Sequence, residues 1–340
     1  MATITDVARL AGVSPTTVSR VLNNRSASRE TTERVLEAVD ALDYRVNLSA
    51  RGLVRRHTNT VGVIVADISN PPISRMFHGI DAQLRDDGLT VMLGNSESDP
   101  QKELELVRMF AVQKASGVIY TGPGISDRLC DALNEFPAPV VVAAQQHHRL
   151  ERPVVRFDNV AASREVTSLI IAQGHARVGF LGGPTTDPAA GIARLEGYRQ
   201  GMHEANLEPR DELIEHAPFS IAAGYAAMER MISRMDELPT PVFAAADLIA
   251  LRAMQCLRER GFRVPGDIAL FGFDNLPVSA HLIPALASVE LDFRELGEVA
   301  ADLLQRIITR GESQVREIVL RHRLLARESC TPPRRAVTQP

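Results

Sequence analysis

Cysteine is scarce and scattered in this 340-residue chain: Cys130, Cys256 and Cys330 lie far apart, in odd number, with no C-x-x-C and no nearby histidine pair. That excludes a disulfide-stapled scaffold and a cysteine-built zinc site, and points to a reducing, cytoplasmic setting. Long apolar runs are lacking too. No stretch reaches the ~18 to 20 residues a membrane helix needs, so no membrane partner is expected. The opening MATITDVARL places an acidic residue where a secretory signal needs an apolar core. Catalytic signatures are also missing: there is no G-x-S-x-G elbow, no G-x-x-x-x-G-K-[ST] phosphate cradle and no H-E-x-x-H. His147 and His148 adjoin a strand end without an evident set of metal partners, which reads as a surface loop. No cofactor, metal or enzymatic activity is therefore expected.

What is present is a chain 45% hydrophobic, long enough for two or three folding units. The net charge of -4 is unevenly divided, with +3 over residues 1–60 and -7 over the remainder. The positive charge is carried by arginine almost to the exclusion of lysine. A basic head on an acidic body permits nucleic-acid binding at the head without proving it.

The head reads as three short helices. Thr3 followed by Asp6 has the form of a capping box, and Ile4, Val7, Ala8 and Ala11 share a helical face until Gly12 breaks it. Ser14 as N-cap and Pro15 at the first helical position open a second helix running to about Asn23, with Val18, Val21 and Leu22 inward. Ser28 caps a third, carrying Glu30 in its first turn and Val35, Leu36, Val39 and Leu42 along its length. Two short helices across a glycine turn form a helix-turn-helix, whose second helix can enter a DNA major groove. Any three-helix module would fit the periodicity equally well.

The string TITDVARLAGVSPTTVSRVLN, followed by RETTERVLEAVDALDYRVN, closely resembles the head of the LacI/GalR family of repressors. That resemblance implies that Thr16, Thr17 and Arg20 face base edges or the adjoining backbone, Arg20 donating two hydrogen bonds to a guanine. Ser14, Asn23 and Arg25 would be phosphate clamps. For Arg25 and Arg45 a solvated surface charge is an equal alternative. The resemblance departs at Pro15, where many relatives carry a base-contacting side chain. In the hinge, residues 47–60, it implies a helix that forms on the operator, with Leu53 wedged between base steps, Ala50 one turn earlier on the same face, and Arg51, Arg55 and Arg56 along phosphates. Gly52 weakens such a helix by about 1 kcal/mol, which suits one that orders only when bound.

Beyond the hinge, β-branched runs such as VGVIVAD, GVIYTG and PVVVAA alternate with amphipathic stretches, and the cycle restarts after Phe157 through ARVGFLGG, PVFAAAD and DIALFGFD. The expected fold class is α/β: a small all-α helix-turn-helix head (1–46) plus two doubly wound parallel-sheet lobes across 61–329. One lobe takes about 61–158 and 290–318, the other about 159–289 and 319–329. The tail, 330–340, is flexible by composition and too short for a tetramerising heptad helix.

From ADISNP through VPGDIALFGFDN to RLLARES the body resembles the periplasmic-binding-protein-like core of the same family. Carried over by position, the effector contacts are Asn70, Ile73, Asp158, Arg194, Phe219, Asp247 and Asp274. For Asp158 and Asp247, helix capping is an equal alternative. Pro72 and Ile73 stand where relatives often show two aromatics, and Ala246 where an asparagine is usual, which favours a sugar or sugar acid over a flat nucleobase. The resulting expectation is a homodimeric repressor on a palindromic operator in double-stranded DNA, controlled by a small effector between the lobes. The alternatives are a soluble small-molecule-binding protein and a nucleobase-responsive regulator.

Overall fold

The computed structural model describes residues 2–22, 27–44, 58–235, 237–311 and 316–330. The hinge contacts Ala50, Arg51 and Leu53, together with Asn23 and Arg25 of the head, lie outside the described residues. The chain divides into two compact units, Met1–Thr58 and Asn59–Pro340.

In the first unit, α1 (Ile4–Ala11), α2 (Pro15–Leu22) and α3 (Arg29–Ala41) enclose Val7, Ala8, Ala11, Val18, Val21, Val35 and Ala38. Local chemistry sets each boundary. Thr3 and Asp6 exchange hydrogen bonds as a full capping box, so two of the orphan amides at the start of α1 are satisfied. At its other end Gly12 adopts φ 65°, a left-handed conformation that stops the helix without a Cβ penalty, and the Arg34 guanidinium donates to the Ala11 carbonyl. Ser14 Oγ accepts from the Thr17 amide at 3.1 Å and Ser28 Oγ from the Thr31 amide at 3.3 Å, which opens α2 and α3.

The second unit carries two six-stranded sheets. The first contains β1 (Thr60–Val65), β2 (Thr90–Asn95), β3 (Gly117–Thr121), β4 (Val140–Ala143) and β5 (Val154–Phe157). Between these strands run α4 (Pro71–Asp86), α5 (Pro100–Val112) and α6 (Asp127–Asn134). The second sheet contains β6 (Gly179–Gly182), β7 (Ile214–His216), β8 (Pro241–Ala244), β9 (Ala269–Phe273) and β10 (Ala287–Leu291). It is interleaved with α7 (Asn159–Ala172), α8 (Ala193–Glu204), α9 (Ile221–Arg234) and α10 (Asp247–Glu259). After α11 (Phe293–Arg310) the chain adds β11 (Glu317–Leu320) to the first sheet and β12 (His322–Leu325) to the second. The spatial orders are β11-β5-β4-β3-β1-β2 and β12-β10-β9-β8-β6-β7, and among the described residues only the β10–β12 pair is antiparallel. The central strands are buried along their length, as a parallel sheet covered on both faces requires.

The chain thus changes lobes three times, after β5, after β10 and between β11 and β12. The second change falls at Asp292, because β10 pairs with β9 of the second sheet. Two crossings are built alike. Asp158 accepts from the Ala161 amide to cap α7, and Asp292 accepts from the Arg294 and Glu295 amides to cap α11. A carboxylate at each hand-over satisfies the helix start and favours the positive end of its dipole.

Candidate effector cleft and DNA-reading head

Open parallel sheets leave their ligand crevice at the carboxyl ends of the strands. Here the segments following β1, β3, β4, β6, β7, β8 and β9 converge on a cavity of about 660 Å³ between the lobes, a size suited to a small molecule. The first two crossings form part of its wall through Phe157, Asn159, Leu291 and Phe293. Phe157 and Phe293 meet edge to face with centroids 5.5 Å apart.

Of the residues expected from sequence, Asn70, Ile73, Arg194, Phe219 and Asp274 line this cavity. Asn70 occupies the N-cap position of α4 but its side chain makes no capping bond. Pro72 stands at the second helical position, so one of the two amides a cap would serve is absent and the carboxamide is left for the cleft. Arg194 is 4% exposed; its Nε donates to Asn159 Oδ1 at 2.9 Å and its Nη1 to the Ala245 carbonyl at 2.6 Å. Its guanidinium carbon stands 4.0 Å from the centroid of the Phe273 ring, a cation–π contact in a desolvated setting. Nη2 forms a buried ion pair with Asp274 Oδ1 at 3.0 Å. Burial pushes the Asp274 carboxyl up to about 7, against the pull of Arg194. Its backbone is held at φ 99°, an uncommon conformation for aspartate that is found where a site over-determines its geometry.

Asp158 and Asp247 do not reach the cavity lining. Asp158 Oδ1 is engaged as the cap of α7, at 2.9 Å from the Ala161 amide. Asp247 is not a cap: it is fully buried in the first turn of α10. There its oxygens accept from the Leu276 amide at 2.8 Å, Ser279 Oγ at 2.5 Å and Ser288 Oγ at 2.7 Å. Burial raises its pKa while these three donors lower it. It ties the loop after β9 to β10 and does not line the cavity.

The fold adds cleft residues that the sequence did not reveal. Gln145, directly after the apolar run of β4, is 4% exposed; its Nε2 reaches Asp187 Oδ1 of the other lobe at 3.4 Å, and its Oε1 has no partner. Asp187 Oδ1 also accepts from the Ala189 and Ala190 amides at 3.0 Å each. The Tyr120 hydroxyl sits 2.5 Å from the Gly124 carbonyl and 3.0 Å from Glu103 Oε1. Its single proton serves one of these, and burial pushes the Glu103 carboxyl up while the Tyr120 hydroxyl pulls it down. Of these only Gln145 has a positional signal, two residues beyond a buried strand; Asp187 stands further along the loop after β6, Tyr120 within β3 and Glu103 on α5.

In the head, α2 carries no acidic residue in its first turn, and Arg20 is its only charged side chain. Ser14, Thr16 and Arg20 are exposed, while the Thr17 hydroxyl lies 2.9 Å from Ser14 Oγ. Nothing in the helix opposes a phosphate.

A helix-turn-helix head on a two-lobed ligand-binding body defines a ligand-responsive DNA-binding regulator. Residues 3–47 match the family model for bacterial regulatory proteins of the lacI family, and residues 167–330 that for a periplasmic binding protein-like domain. Catabolite control protein A of Priestia megaterium is 33% identical over 96% of this chain and 98% of its own. A solved complex of the transcriptional regulator CelR with cellobiose matches at TM-score 0.74 and 31% identity, covering 97% of this chain and all of that one. The lac repressor dimer bound to operator and an anti-inducer matches at TM-score 0.87 and 26% identity, over 96% of this chain and 98% of that one. The chain belongs to the LacI family of bacterial transcription regulators. Among the described residues no helix is long and apolar enough to cross a membrane.

Proposed function

We propose that this regulator is a homodimeric repressor that binds a palindromic operator through Thr16, Thr17 and Arg20. Its operator affinity is set by a neutral, polyhydroxylated effector, a sugar, held between the lobes. The observation that carries the effector class is the set of acceptors around the cavity: Asn70 Oδ1 and Gln145 Oε1, buried without partners on one lobe, and Asp274 Oδ1 on the other, whose partner is the Arg194 guanidinium at 3.0 Å. A buried unpaired acceptor costs about 1 to 3 kcal/mol, recovered when a ligand donates to it, and a sugar brings hydroxyl donors on several sides at once.

Charge separates a neutral sugar from a sugar acid. The lining carries Asp67, Glu103, Asp187 and Asp274 against the single cation Arg194, whose Nε and Nη1 are already engaged within its own lobe. A carboxylated ligand would enter a net-negative cavity and find its one counter-ion occupied. Phe157, Phe219 and Phe293 supply apolar faces for a pyranose ring. The cellobiose complex of the structurally similar CelR points the same way.

A thermal-shift screen of neutral mono- and disaccharides, sugar acids and nucleobases on the full chain tests this. Stabilisation by a neutral sugar, absent in Arg194→Ala, is expected. Stabilisation by sugar acids or nucleobases alone would overturn it.

A further inference from the structure

Outside the cleft, the fold assembles a second group of ligating side chains. His147 and His148 lie on the loop after β4, with ring centroids 4.5 Å apart, and α6 brings Asp127 to them. One donor atom from each of the three can be chosen such that all lie within 4.8 Å of one another. The His147 ring is 12% exposed and its Nε2 is 3.1 Å from Asp127 Oδ1. Its Nδ1 accepts from the Arg149 amide at 3.3 Å, which places the ring proton on Nε2, facing the carboxylate. Among the described residues neither ring nitrogen of His148 has a hydrogen-bond partner. From sequence the pair reads as a surface loop without metal partners; the third ligand is supplied by the helix that precedes β4.

We propose that Asp127, His147 and His148 form a binding site for a first-row divalent cation of the zinc class. Two imidazoles and one carboxylate, with water in the fourth position, suit a borderline ion that takes tetrahedral nitrogen and oxygen ligands at about 2.0 to 2.2 Å. Ligand atoms at that range sit about 3.4 Å apart, so closing the site needs a contraction of about 1 Å. The exposed Asp127 and His148 side chains supply it by rotation. When the ion takes the Nε2 lone pair the ring proton moves to Nδ1, giving up the long contact from the Arg149 amide. The competitor already in place is the Arg149 guanidinium, 3.4 Å from the same Asp127 oxygen and also paired with Asp131 Oδ1 at 2.5 Å.

Both arms of the site adjoin the cleft. Ser126, the cap of α6, and Gln145, two residues before His147, line the cavity. An ion bridging Asp127 to the histidines ties α6 to the loop that presents Gln145, so occupancy stiffens one wall of the effector site. Binding of the cation itself does not depend on which effector the cleft takes.

The test is titration of the full-length protein with zinc chloride by calorimetry and with cobalt(II) by visible absorption. The proposal expects one ion per chain, a tetrahedral cobalt spectrum, and slower hydrogen exchange at residues 144–149 with zinc. His147→Gln and His148→Gln should each weaken binding by about tenfold or more at an unchanged melting temperature without metal. Arg149→Gln, which removes the competing cation, should tighten it. No saturable binding below 100 µM, or equal binding by the double histidine variant, would overturn the site. Unaltered exchange at 144–149 in the zinc-loaded protein would overturn the stiffening of the cleft wall.

Discussion

Asp274 is the residue at which backbone strain, burial and an ion pair with Arg194 coincide. Its carboxyl ionises near 7 in the folded chain and near the usual 3.8 in the unfolded one. With the folded value raised, its stabilising contribution is full below about pH 4 and is lost as pH climbs to about 7. A hydroxyl donated by a ligand to Oδ1 favours the ionised form, so binding lowers the pKa and releases a proton. The effector dissociation constant should therefore fall by about tenfold between about pH 6 and about pH 8, and Asp274→Asn should flatten that slope. Calorimetry across the range decides it; a slope unchanged in the variant would remove Asp274 from contact with the ligand. Asp247 belongs to a different physics. Of its three donors only the Ser288 hydroxyl has another acceptor, the Val289 carbonyl at 3.4 Å, so Asp247→Ala strands the Leu276 amide and the Ser279 hydroxyl in the interior. A loss of about 2 to 4 kcal/mol is expected in denaturant unfolding, without any change in which ligands bind.

At the scale of elements, the contact between α4 and α11 shows how the backbone dictates residue choice. A Cβ on Gly79 would run into the Arg294 carbonyl of α11, and one on Gly297 into the Met76 carbonyl of α4. The two helices cross with backbone nearly on backbone, and a carbonyl cannot swing aside as a side chain can. Gly79→Ala should cost about 1 to 3 kcal/mol, measured as a lower melting temperature, although alanine favours an isolated helix. Elements of this kind were legible where the signal was local. Ser14 before Pro15, Ser28 before an acidic turn and the buried β-branched runs each announce a boundary within a few residues. The restart after Phe157 was visible, whereas β5 itself, four residues with one half-exposed arginine, was too short to stand out. Site residues divide on the same principle. Asn70, Arg194 and Asp274 follow from where a strand ends, but the same rule picks Asp158 and Asp247 as well. A capping carboxylate and a loop-clamping one differ from a ligand-facing one only in which donors the tertiary fold brings up. The approach of Gln145 to Asp187 joins two lobes, and that of Asp127 to His147 joins a helix start to the loop after the next strand; neither leaves a short-range pattern in sequence.

Over the whole molecule, an effector can regulate DNA binding only if it favours one arrangement of the body over another, and the body is built to have such a preference. Three chain crossings join the lobes, and the hydrogen bonds across the cleft include Gln145 to Asp187 at 3.4 Å and Arg75 Nη1 to the Asn275 carbonyl at 3.3 Å. Both are long for hydrogen bonds, so a ligand donating to acceptors on either lobe competes with a weak latch. The resulting coupling is reciprocal: whatever factor the effector imposes on operator affinity, operator must impose on effector affinity. We expect titration of the effector with and without operator duplex to yield the same factor as titration of operator with and without effector, of order 5- to 150-fold. In the proposed mechanism that factor passes through the hinge, so Leu53→Ala should weaken operator binding and bending in a mobility-shift assay while leaving effector affinity in the absence of DNA unchanged. An equal coupling factor in that variant would mean that the lobes communicate with the head by a route that does not involve the wedge.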